Sequence, residues 1–125
     1  MNNKQEKIKE ILLPYILGGR KFGYDKKNNK CKYYQLEDDG NVVTCAAGFC
    51  MVNPEIYHSN LPISSILVQS GGEKEVMKPE YTDIFSSREW GAIQGIHDNL
   101  AKNQNNSGLW NVFIRLWFSY GINTL

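Results

Sequence analysis

The sequence has no apolar run near the roughly twenty residues that a bilayer-spanning helix needs. Its longest apolar stretch, near 109–120, is interrupted by Asn111, Arg115 and Ser119. An export signal is not expected either: the first ten residues are polar and charged, and the first apolar cluster, Ile11-Leu12-Leu13, is broken by Pro14. Cysteine is scarce. Three cysteines (Cys31, Cys45, Cys50) cannot all pair, and without an export signal they read as reduced thiols of a cytoplasmic protein rather than a disulfide framework. Cys45 and Cys50 lack the second cysteine pair of a structural zinc site and sit among Ala, Phe, Met and Val, so no metal and no cofactor is expected. There is no phosphate-binding glycine loop of the P-loop or dinucleotide type, no internal repeat and no low-complexity segment.

What is present is the composition of a folded domain. With 42% hydrophobic and 22% charged residues in 125, a single globular domain over 1–125 is expected. The net charge of +1 hides an asymmetry. Residues 1–32 carry nine Lys or Arg against Glu6, Glu10 and Asp25, whereas the rest of the chain is net acidic. Such a split fits a polar partner, self-association of opposite faces, or a solvated basic loop.

Periodicity predicts an α+β fold: an N-terminal helix, a small antiparallel sheet or hairpin, and two C-terminal helices packed on it. Ile8, Ile11, Leu12, Tyr15 and Ile16 recur at helical spacing over 4–17, with Pro14 set to kink or shorten the last turn and Gly18-Gly19 to end it. Residues 20–30 read as a basic loop. The strand-like residues 32–37, the turn Asp38-Asp39-Gly40-Asn41 and Val42-Val43-Thr44 form a hairpin. The apolar run 45–52 continues the strand or starts a short helix, with its alanines favouring helix. Residues 63–68 read as a strand and 71–75 as an exposed turn. Ser86 with Glu89 forms a capping box, followed by the stripe Trp90, Ile93, His97 and Leu100 to about Lys102. Over 109–120, a helix with one polar stripe competes with a strand, and length favours the helix.

Three groups of residues carry candidate function. In the first, Arg20, Lys21, Lys26 and Lys27 alternate with aromatics that include Tyr24 and Tyr33, the pairing of cations and rings that suits a phosphate, a nucleotide or single-stranded nucleic acid. Its plainer reading is a solvated lysine loop with its rings turned into the core. In the second, Trp110, Phe113, Trp117 and Phe118 crowd the last element and fit a partner or self-association interface as well as a core. In the third, Cys45 or Cys50 with His97-Asp98 is the minimum for a thiol enzyme. Neighbouring helical residues diverge by about 100°, so the plainer reading of His97 is a partly buried histidine.

Cys45-Ala46-Ala47-Gly48-Phe49-Cys50, followed by Trp90, Ile93, Gln94 and His97-Asp98, resembles short phage and prophage proteins. Those carry a hydrophobic Cys-x-x-Gly segment and a later Trp- or Leu-containing helix ending in Asn-Asp or His-Asp. The resemblance implies a mobile-element origin and, by analogy of lifestyle, binding of host defence proteins or their nucleotide signals. The expected function is therefore binding without turnover: an inhibitor acting on a host protein by protein–protein contact, or a self-associating protein, with no membrane involved. The alternative is a nucleotide or nucleic-acid binder using 20–34, and a third is a thiol enzyme.

Overall fold

The computed structural model describes residues 3–57, 61–69 and 71–103. The chain opens with α1 (Asn3–Ile16), whose Ile8, Ile11, Leu12 and Tyr15 face inward. Pro14 is held within its last turn, which closes at Gly18 (φ +83°), where glycine takes the left-handed conformation without strain. The amides of Gly19 and Arg20 both return to the Pro14 carbonyl.

The segment expected to be an irregular basic loop contains a hairpin. In it, β1 (Tyr24–Asp25) pairs antiparallel with β2 (Lys30–Cys31). Asp25 organises its turn by accepting from the Lys27 and Asn28 amides at 3.0 and 3.3 Å. The second hairpin is the expected one. Here β3 (Gln35–Leu36) pairs with β4 (Val42–Val43) in the register Gln35↔Val43 and Leu36↔Val42, with Gly40 (φ +87°) in the turn. A parallel bridge between Phe22 and Thr44 joins the start of the first hairpin to the end of the second.

After β4 the chain turns into a four-residue helix, α2 (Ala46–Phe49), and then a 3₁₀ turn at Pro54–Ile56. The expectation of a strand at 63–68 is corrected: Ile63–Gln69 is helix α3. Ile63, Ile66 and Leu67 are buried at intervals of three and four. Docking that face on a neighbouring helix outweighs the β-propensity of isoleucine and valine. At 71–75, the turn is confined to Gly71 and Gly72, and helix α4 (Glu73–Val76) follows.

The central element is α5 (Ser87–Lys102), against which α1, α2 and α3 all pack. Its start is as expected. Ser86 Oγ accepts from the Glu89 amide at 3.1 Å, and Glu89 Oε1 accepts from the Ser86 amide at 2.9 Å. Phe85, just before the cap, meets Trp90 edge-on at 5.1 Å, a hydrophobic staple. The Trp90 indole is fully buried and donates to Glu73 at 3.0 Å. The helices on two small antiparallel ladders make an α+β fold. The expected second C-terminal helix at 109–120 lies outside the described residues. No helix among the described residues is long and apolar enough to cross a membrane.

Candidate functional site

Two regions meet at α2. The first holds the residues whose chemistry is most visible in the sequence. Cys45 caps α2, its sulfur accepting from the Gly48 amide at 3.4 Å. The Ala47 amide donates to Gln94 Oε1 of α5 at 2.9 Å. Gln94 Nε2 donates in turn to Asp98 at 2.8 Å, and Asp98 also lies 2.8 Å from His97 Nδ1. With that carboxylate as acceptor, the proton sits on Nδ1 of the neutral imidazole. His97 is fully buried against the rings of Tyr15 and Phe22, at 4.9 and 5.4 Å, and burial holds its pKa below the usual value.

Among the described residues, no thiol–imidazole pair is formed. His97 Nε2 has no hydrogen-bond partner among the described residues. All three thiols are buried, and burial pushes Cys45 and Cys50 well up in pKa. Only Cys31 is lowered, through contact with the Cys45 thiol. Gly48 explains the rest of the Cys-x-x-Gly segment: a β-carbon there would overlap the backbone of Tyr33, which passes directly over it. Cys45 thus caps α2, Gly48 lets the Tyr33 backbone pass over it, and the Ala47–Gln94 bond, continued to Asp98 and His97, ties α2 to α5. No group of three or more His, Cys, Asp or Glu residues placed to hold a metal occurs among the described residues.

The basic–aromatic residues take separate places. Tyr33 is buried and its hydroxyl donates to the Leu61 carbonyl, so its ring belongs to the core. Tyr24 is half-buried, with a hydroxyl that finds no partner among the described residues. Lys26 and Lys27 stand exposed on the β1–β2 turn, and Lys21 reaches towards Glu37 at 3.9 Å. Of these four cations, Arg20 turns back to the body of the protein. It donates to the Ile11 carbonyl at 2.9 Å and lies over the Phe49 ring at 3.5 Å from its centre. Trp110, Phe113, Trp117 and Phe118 lie outside the described residues.

Arg20 borders two open cavities. The larger, about 740 Å³ along the outer side of α1, mixes Glu6 and Glu10 with Lys9 and Arg20, so its charges offset one another. The smaller, a groove of about 380 Å³, has no acidic residue in its lining. Phe49 and Gly48 of α2 contribute to it. Arg20 and Lys78 bring two positive charges, while Tyr34, Val42, Val52 and Pro54 supply apolar surface. Lys78 arrives through the pairing of two distant segments: the Val52 amide bonds Val76 O at 2.9 Å, and the Lys78 amide bonds Cys50 O at 2.8 Å. Its ammonium group lies 5.1 Å from the Phe49 ring centre.

The groove continues onto an exposed apolar surface. Val42 and Val52 are each about half exposed (52% and 49%), and Leu36, opposite Val42 in the ladder, is 60% exposed. Phe49, Lys78, Val42 and Val52 were not among the residues the sequence singled out. Only the hairpin carried a signal. Val42 and Val43 are adjacent, alternation turns one outward, and Leu36 pairs with the outward one. Nothing in the sequence links Lys78 to Phe49.

No protein-family model matches the chain, and no curated protein or solved structure does so either.

Proposed function

We propose that this chain is a non-catalytic binding protein that captures a partner protein on the face made by the β3–β4 hairpin and the segment after α2. The observation that carries this reading is the exposure of Leu36, Val42 and Val52 around a groove already lined by Tyr34 and Pro54. Large apolar side chains gathered on one face mark interaction surfaces, whereas single ones do not. Among the described residues, the buried thiols and the buried His97 imidazole, tied to Asp98 through Nδ1, supply no nucleophile within reach of a substrate. A protein that occupies a partner's surface without turnover acts as an inhibitor. In the setting implied by the Cys45–Gly48 resemblance, the partner is a host protein. A nucleotide ligand is the competing reading, favoured by Arg20 and Lys78 but deprived of Tyr33 as a stacking ring.

The test uses the full chain as bait in cell extract, with partners identified by mass spectrometry. Val42→Asp and Val52→Asp should each abolish capture. Val68→Asp, at a residue 79% exposed on α3, should not. Capture that survives both groove variants, or that Val68→Asp removes equally, would refute the assignment of this face.

A further inference from the structure

Resting on that reading, we infer that Arg20 and Lys78 form an acid-recognition subsite within the face, which receives an Asp or Glu carboxylate carried on an apolar segment of the partner protein. The groove places two like charges around one ring, Arg20 at 3.5 Å and Lys78 at 5.1 Å from the centre of Phe49. Neither forms an ion pair among the described residues, and none of the groove's lining residues is acidic. Both cations line the same groove, so an anion bound there is attracted by each of them and offsets two like charges on one apolar surface.

Arg20 is prepared for this role. Among the described residues, its bond to the Ile11 carbonyl and its position over the Phe49 and Tyr15 rings hold the guanidinium in place. Guanidinium donors match a carboxylate in a planar, paired geometry. The walls of the groove set the rest of the occupant. Val42, Val52, Pro54 and Tyr34 offer apolar contact on a surface that extends to Leu36. A free phosphate or a small acid would leave that surface in water. A peptide segment covers it, so charge and apolar contact together favour an acidic, otherwise apolar stretch of chain. Glu10, near enough to Arg20 to feel its charge, lines the α1 cavity and not the groove.

The experiment selects ligands for the full-length protein from a displayed library of random peptides, followed by affinity measurement of the enriched peptides by fluorescence anisotropy. The expected peptides combine Asp or Glu with Leu, Val or aromatic residues. Lys78→Gln should weaken them about tenfold, as expected for loss of a charge-assisted contact. It should also flatten the salt dependence, and Lys78→Arg should restore both. Arg20→Gln should act in the same direction, but it also removes the bond to Ile11. Lys78→Gln is therefore the deciding variant, with its thermal unfolding compared with wild type.

If enriched peptides lose binding to Val42→Asp yet are indifferent to Lys78→Gln, the acid subsite is refuted while the apolar face stands. Peptides indifferent to both variants would refute the subsite and the face together. If no peptide is enriched, and inorganic phosphate alone shifts the amide signals of Arg20 and Lys78, the groove is a small-anion site and the inference falls. It falls equally if neither probe binds.

Discussion

The two sides of α2 have opposite characters. Ala46, Ala47 and Gly48 are buried towards α5 and the Tyr33 backbone, whereas Phe49 lies half-buried in an open groove that Arg20 and Lys78 also line. On the α5 side, the buried amide of Ala47, the amide group of Gln94 and the half-buried carboxylate of Asp98 satisfy one another. On the groove side, two cations line a surface that holds no acidic residue, and several apolar side chains meet solvent. The residues that look most like chemistry therefore hold the fold together, and the outward surface is built from a lysine, an arginine and ordinary valines. A cysteine, glycine or histidine has packing uses, as cap, close-contact point or buried ring, that are as demanding as catalysis.

The sharpest way to break this comparison is Gly48→Ala. Helix propensity alone predicts a gain of up to about 1 kcal/mol. Overlap of the new methyl with the Tyr33 backbone predicts instead a loss of about 3 kcal/mol. Chemical denaturation decides by its sign, and a stabilised variant would show that the α2–Tyr33 approach is not tight. Gln94→Leu comes next. It preserves bulk but leaves the buried Ala47 amide without its acceptor, at an expected cost of about 2 kcal/mol. No change in the unfolding midpoint would mean that the amide finds another partner.

Acid should act on the same interior through His97. The unfolded imidazole takes up a proton near its ordinary pKa of 6.5, whereas burial lowers the folded value. Below about pH 6.5 the unfolded state therefore binds more protons, and stability falls as the pH drops towards the lowered pKa. The contribution has a slope of at most ~1.4 kcal/mol per pH unit. Comparing wild type with His97→Gln between pH 7 and 5 isolates this contribution, and parallel stability curves for the two proteins would contradict it. The smallest effect sharpens the other side of the comparison. Val42→Asp, already half in water, should change stability by less than about 0.5 kcal/mol while removing partner capture. A large loss of stability would make Val42 part of the core rather than of a binding face.

Much of the local structure was legible. The capping box at Ser86 and Glu89, the helical spacing in α1 and the Asp-Asp-Gly-Asn turn all act within a few residues, and each formed as read. Residues 63–68 were misread because a short run rich in isoleucine and valine suits either element. The choice fell to the face of α3 that α5 accepts. The basic–aromatic segment was legible as composition but not as geometry, since alternating residues point to different neighbours: Tyr33 to the Leu61 carbonyl, Arg20 to Phe49, Lys26 and Lys27 to water.

The sequence by itself therefore determined the caps, the turns and the apolar stripes, because those rest on contacts between residues close along the chain. Only the tertiary structure decided that Gly48 lies beneath Tyr33, that Gln94 accepts from Ala47, and that Lys78 joins Arg20 at Phe49. Lys78 stands 29 positions after Phe49 and 58 after Arg20. Contacts across such separations depend on how helices and ladders dock, and that docking is set by the summed burial of many side chains. No motif of a few residues records it.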